Sequence, residues 1–192
     1  MALAALNLED LPHYNYDEYV HWEGSWEIIS GIPYAMAPAP VMKHQRLSVK
    51  IASQLDQLLA GCRFCKTYTA IDWQVEKDTV VQPDVLVVCG ESSEKEKLSV
   101  PPLLIIEILS PSTARKDRGL KYQLYREAGV RYYCLIDPAN KSVEIFELHE
   151  LTGDEACAAQ KKYKEIKEFQ EGKMFFDFDK CSIAFDFGKV FE

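Results

Sequence analysis

The chain has 192 residues, 47% apolar and 27% charged, with a formal charge of −8. That length fits one domain with one sizeable core. The acidic balance argues against non-specific nucleic-acid binding, which draws on Lys and Arg contacts to phosphate, though it leaves room for a local basic cleft. No stretch approaches the ~18 apolar residues of a membrane span. Residues 1–9 lack the basic and apolar regions of a secretion signal. A cytoplasmic location and reduced cysteines are therefore the expectation.

In chain order, residues 9–24 mix aromatics with acids and read as an irregular lead-in with room for a short helix. Trp26-Glu27-Ile28-Ile29 predicts a strand, Ser30-Gly31 a turn, and the next residues a second strand. Residues 37–40, Ala-Pro-Ala-Pro, form a loop. Between residues 42 and 60, Leu47, Ile51, Leu55, Leu58 and Leu59 recur at helical spacing, with Gly61 as the expected C-cap. Strand-like runs follow at 63–68, 71–75 and 80–88, then a charged loop at 91–97. The apolar run 103–109 predicts a strand buried on both faces. Ser110 or Ser112 can cap a helix that runs to about Ala128 and ends at Gly129. Residues 130–136 and 142–148 read as paired strands around the turn Asp137-Pro138-Ala139-Asn140. Residues 161–169 suit a strand or a helix. Strand 103–109, the helix and strand 130–136 make a βαβ unit with parallel strands, so the fold class is α/β with a mixed sheet flanked by helices.

Of the six cysteines, Cys62 and Cys65 have the spacing of half a zinc site, but no second CxxC or HxxxH pair completes it. Cys89 and Cys134 lie in apolar runs and read as small core residues. Lys116, Arg118, Lys121 and Arg126, with Arg115, form a basic cluster just after the central strand.

Glu107 stands inside the apolar run 103–109. A carboxylate there loses its water and needs a cation: an Arg, a Lys or a metal ion. Asp84 follows Pro83, which cannot donate to a sheet ladder, so Asp84 lies near a strand start, an edge or a bulge. Alternation puts Asp84 on the face of Leu86 and Val88, and Glu107 on the face of Ile105 and Leu109. If the two strands are neighbours, both acids can enter one pocket. Lys121 falls in a helix stripe with Ala114, Leu124, Tyr125 and Ala128 and can reach toward Glu107. Two carboxylates and an ammonium suit phosphodiester hydrolysis assisted by Mg²⁺. Plainer readings stand beside this one. Glu107 could pair with a core cation, Asp84 could be a turn residue, and Asp117 and Lys121 could form a surface ion pair. His44 could cap or pack its helix.

The ordered set Gln82-Pro83-Asp84-Val85, Ile106-Glu107-Ile108-Leu109-Ser110-Pro111-Ser112-Thr113, Asp117, Lys121, Tyr125 and residues 128–138 resembles the Uma-type restriction endonuclease family of the PD-(D/E)XK nuclease superfamily. Residues 26–31 and the Met36–His44 segment fit the same family. The resemblance spans roughly residues 15–150 of a single nuclease-like domain, with 151–192 as a variable extension. It implies a restriction-endonuclease-like fold and a hydrolase that cuts DNA with Mg²⁺ or Mn²⁺ held by Asp84 and Glu107. The usual motif has a lysine two residues after the second acid. That position is Leu109 here, and the resemblance implies that Lys121 supplies the amine. Glu27 and His44 are accessory candidates. A homodimer is compatible with double-strand cutting. The competing readings are a nuclease-like fold that binds or assembles without turnover, favoured by the charge and by Leu109, and an RNA or small-molecule phosphodiesterase.

Overall fold

The structure, a computed structural model, describes residues 12–36, 41–90, 97–150, 161–169 and 172–192. The expected loop at 37–40 and most of that at 91–97 lie outside these residues.

A six-stranded sheet forms the centre, in the order β10 (Lys161–Phe169), β9 (Ser142–Glu150), β8 (Tyr132–Asp137), β7 (Leu104–Ile108), β6 (Val85–Cys89), β3 (Cys65–Thr69). β7 and β8 are parallel, as the βαβ reading requires, and the other neighbours in this sheet are antiparallel. A smaller sheet has the order β2 (Ile32–Ala35), β1 (Trp26–Ile29), β5 (Thr79–Val81), β4 (Trp73–Glu76). A hairpin, β11 (Lys173–Asp177) with β12 (Ser182–Asp186), follows near the C-terminus. The helices are α1 (Tyr16–Tyr19), α2 (Met42–Leu58), α3 (Ala114–Lys116), α4 (Tyr122–Ala128) and α5 (Gly188–Phe191), with a π-helical turn at Asp117–Lys121 between α3 and α4. The chain therefore has the mixed α/β fold expected of it. Residues 161–169 resolve as a strand.

Strand alternation splits the interior into two cores. Leu104, Ile106 and Ile108 face α2 through Leu47, Ile51 and Leu55, and also meet Phe176 and Phe185 of the hairpin. Ile105 and Leu109 face the other way, toward Tyr125 of α4 and Ile29 and Val81 of the small sheet. Glu107 belongs to this second face by period. Both faces are covered, which is why the central strand carries almost nothing but apolar residues.

Four expectations are corrected. The run 80–88 is not one strand: Gln82-Pro83-Asp84 divides it into β5 and β6, which lie in different sheets. Pro83 has no N–H to give either ladder, so the chain crosses between sheets at that point. Gly61 does not end α2, because the cap is Leu59 in a right-handed conformation, whereas Gly129 at φ +89° does end α4. The helix after the central strand is interrupted by the π-turn. Thr113, rather than Ser110 or Ser112, stands at its N-cap, without a side-chain capping bond, and Ser110 Oγ accepts the Thr113 N–H at 3.2 Å in the preceding turn. The cysteines are not all free thiols: Cys62 is bonded to Cys181 and Cys65 to Cys89, while Cys134 stays buried and free. Cys62 and Cys181 are 119 residues apart and meet only because the C-terminal hairpin packs beside α2, a contact no local spacing reveals.

Candidate active site

The crossing between the sheets builds the site. Where β6 starts beside the end of β7, each acid accepts a backbone N–H from the other's strand end. The Ile108 N–H donates to Asp84 Oδ2 at 2.8 Å, and the Asp84 N–H donates to Glu107 Oε2 at 3.4 Å. β1 brings Glu27 to the same place, and its Oε1 accepts the Gln82 N–H at 3.0 Å. Glu27 and Glu107 are 0% and 3% exposed, so these carboxylates have exchanged water for protein partners.

The helical segment supplies those partners. Lys121 Nζ lies 2.7 Å from Glu27 Oε1 and 2.9 Å from Glu107 Oε1. Lys116 Nζ grips the other oxygen of Glu27. Tyr125 donates its hydroxyl to Glu107 Oε1 at 2.8 Å. Lys116 and Lys121 are five residues apart, about 140° around an ideal α-helix. The wider π-turn lets both reach one carboxylate. Asp117 lies in the same turn, 2% exposed and 4.0 Å from Lys121. The surface ion pair considered for Asp117 and Lys121 is thus a buried one.

His44, on the first turn of α2, places Nε2 3.2 Å from Asp84 Oδ2. It also lines a cavity of about 350 Å³ together with Leu109, Ser110 and Arg118, a lining that includes none of the four acids. Much of the basic cluster is already paired. Arg118 binds Glu144, Arg126 binds Glu127, and Lys116 and Lys121 serve the acids.

These surroundings shift the titrations. Burial pushes the Glu107 carboxyl upward; Lys121 opposes this and Asp84, Asp117 and Glu27 reinforce it, leaving it at about 8. Burial also raises Asp117. Glu27 is pushed up by burial, but Lys121 and Lys116 outweigh this and hold it below the usual carboxylate value. Lys121 loses its water too, yet Glu107, Glu27 and Asp117 hold it firmly protonated. The hydrogen bond to Asp84 raises His44.

The structure therefore brings together Asp84, Glu107, Lys121, Glu27 and His44. It adds Lys116, Asp117 and Tyr125, which the sequence reading placed in a basic cluster, an ion pair and a core stripe. The five-residue spacing of the two lysines was the signal that could have found Lys116, given a π-turn. Four carboxylates face two ammonium groups and one imidazole. Asp84 and Glu107 offer hard oxygen donors of the kind that suit a divalent cation such as Mg²⁺, whose charge would favour the ionised form of Glu107. Among the described residues no third carboxylate or imidazole completes a compact ligand set with them, so water would fill the remaining positions.

The Uma2 family model, described as “Putative restriction endonuclease”, matches residues 16–172. The chain belongs to the Uma2 family. Two Synechocystis proteins, both described as uncharacterized, are similar to it. One, slr1290, is 28% identical over 143 residues, 70% of this chain and 74% of that protein. The other, sll1609, is 32% identical over 146 residues, 68% of this chain and 80% of that protein. A crystal structure described as a “putative nuclease belonging to DUF820” from Anabaena variabilis aligns with a TM-score of 0.69 at 17% identity. The alignment covers 93% of this chain and 97% of that one, so this Uma2 chain shares its fold.

Proposed function

We propose that this chain is a divalent-metal-dependent nuclease that hydrolyses phosphodiester bonds in DNA. Asp84 and Glu107 hold Mg²⁺ or Mn²⁺, and Lys121 is the catalytic amine. The observation that carries this reading is the position of Lys121 Nζ, within hydrogen-bond distance of both Glu27 and Glu107 and beside the Asp84 clasp. The bound ion would act as a Lewis acid toward the phosphate and lower the pKa of a coordinated water. Lys121 stays charged and offsets negative charge that develops on the phosphate. Glu27 fixes Lys121 and Lys116 so that neither has to be ordered during the reaction. Tyr125 and the Asp84 N–H orient Glu107, while the Ile108 N–H and His44 orient Asp84. The adjoining cavity meets the acids only through His44 and offers room for the flanking nucleic-acid backbone, which Arg118 in its lining would meet by leaving Glu144. Leu109 lines this cavity where the usual lysine would stand, which fits an amine supplied from the helix. A two-fold dimer would pair two such sites for a double-strand cut.

Supercoiled plasmid incubated with graded Mg²⁺ or Mn²⁺ tests the reading. Cleavage should need the ion and fall by at least about 100-fold in Glu107→Ala and in Lys121→Met. Unchanged cleavage by Glu107→Ala would remove this site from the reaction. Parallel RNA and small phosphodiester substrates test the choice of DNA. One observation favours a binding protein without turnover: both lysines are engaged with the buried Glu27. That reading expects no metal-dependent cleavage by wild type, with Asp84→Ala and Glu107→Ala altering only stability.

A further inference from the structure

Four cysteines from four segments meet at the end of the large sheet away from the acids. Cys62 follows α2, Cys65 opens β3, Cys89 closes β6, and Cys181 lies in the turn of the β11–β12 hairpin. Cys89 is five residues along the chain from Asp84, about 17 Å of extended strand. This cluster is separate from the nuclease site.

The sulfurs are bonded as Cys62–Cys181 and Cys65–Cys89. Their arrangement exceeds what two unrelated disulfides need. The ligand atoms of Cys62, Cys65 and Cys181 all lie within 4.8 Å of one another, so one bonded pair sits against a member of the other. Cys89 Sγ is bonded to Cys65 but lies outside that group of three, so it joins the set only once the Cys65–Cys89 bond is reduced and its side chain turns inward. Cys65 and Cys89 are directly opposite in the β3–β6 ladder, with Cα atoms 4.0 Å apart, closer than the roughly 4.4–6.8 Å that disulfides usually span.

Cys62-Arg63-Phe64-Cys65 has the chelating CxxC spacing, and its missing partners arrive from β6 and the hairpin. Cys62 and Cys65 are buried at 8% and 1% exposure. Arg63, Lys66 and Lys180 adjoin three of the four cysteines in sequence, and Lys180 Nζ lies 4.3 Å from the centre of the Phe64 ring. Cationic neighbours suit a ligand set that carries excess negative charge when all four sulfurs are thiolates.

We propose that, with both pairs reduced, Cys62, Cys65, Cys89 and Cys181 bind a thiophilic divalent cation of the zinc class in a closed tetrathiolate site. Each disulfide first takes two electrons and two protons from a dithiol reductant. The four thiols then release their protons as the metal binds. All four tetrahedral positions are filled by sulfur, so the site is structural. It ties the C-terminal hairpin and the end of α2 to the sheet edge.

The test uses the full-length chain, reduced with a dithiol, freed of metal and then titrated with Zn²⁺ or Co²⁺. About one ion per chain should bind to sulfur, beside any held by the carboxylates, and the cobalt form should show sulfur-to-cobalt charge-transfer absorption with strong tetrahedral bands. Cys181→Ser and Cys89→Ser should each weaken binding by more than about tenfold. Glu107→Gln should leave the cobalt spectrum unchanged, since carboxylate-bound cobalt gives no such absorption. A reduced wild type that takes up neither ion, or takes up cobalt without the charge-transfer band, overturns the proposal. The wild-type result decides the matter even if a serine variant fails to fold. Retention of the full band in a folded Cys62→Ser chain also overturns it.

Discussion

At the residue scale the molecule turns on a buried charge network whose members cannot be removed singly. Lys121 touches Glu27, Glu107 and Asp117, and all four side chains are almost fully enclosed. Taking away the ammonium leaves Glu107 and Asp117 without their cation and Glu27 with Lys116 alone. Lys121→Met is therefore expected to cost about 3–5 kcal/mol in urea unfolding, the range for breaking a buried pair. Adding Glu27→Gln should recover part of that loss, because the neutral amide no longer needs the ammonium. A double-mutant cycle showing additivity within about 0.5 kcal/mol would mean the two groups are not coupled. Alternation alone placed Asp84 and Glu107 on compatible faces. Their partners were only partly legible, because a side chain's reach depends on which neighbour lies across the gap.

At the element scale, two glycines separate local pattern from actual geometry. Both follow helices in the sequence, yet only Gly129 is left-handed, at φ +89°. A β-carbon there is strained and would also lie 3.0 Å from Lys161 Nζ. Gly129→Ala should lower stability by about 1–2 kcal/mol. Gly61 has a conformation open to any residue, and a β-carbon there would meet nothing within 4 Å. Gly61→Ala should be neutral or stabilising by up to about 1 kcal/mol. Thermal denaturation of both variants tests the assignment, and equal losses would contradict it.

The β8–β9 turn gives a pH-dependent counterpart. Asp137 Oδ1 accepts the N–H groups of Ala139 at 2.8 Å and Asn140 at 3.2 Å. Slight burial pushes its carboxyl up, but these donors outweigh it and hold the pKa below the ordinary value. A depressed folded value means stability present at neutral pH and lost as pH falls through that value. Asp137→Ala should cost about 1 kcal/mol at pH 7, and the gap to wild type should close as pH drops below about 4. A gap that persists unchanged at pH 2 would place its origin elsewhere.

For the whole molecule, the relevant fact is that one end of the central sheet gathers four carboxylates, Glu27, Asp84, Glu107 and Asp117, from segments far apart in the chain. A divalent ion that binds there binds only the folded chain, since the acids are scattered from Glu27 to Asp117 along the sequence. At one hundred times its dissociation constant it should add about 2.7 kcal/mol of stability. Melting with and without millimolar Mg²⁺ should show this shift in wild type and its absence in Asp84→Asn/Glu107→Gln. No shift in wild type would speak for the binding protein without turnover.

The sequence by itself determined several local facts: the long helix after residue 42, the parallel βαβ unit, the faces of Asp84 and Glu107, and the inward stripe that carries Lys121. These follow from periods of two and 3.6 residues, which act between near neighbours. Only the tertiary structure decided that β5 and β6 part at Pro83, that Glu27 comes to share Lys121, and that a π-turn adds Lys116 and Asp117. It alone joined Cys62 to Cys181. Such pairings depend on how whole faces pack, a free energy summed over segments far apart in the chain, and no short window of sequence contains it.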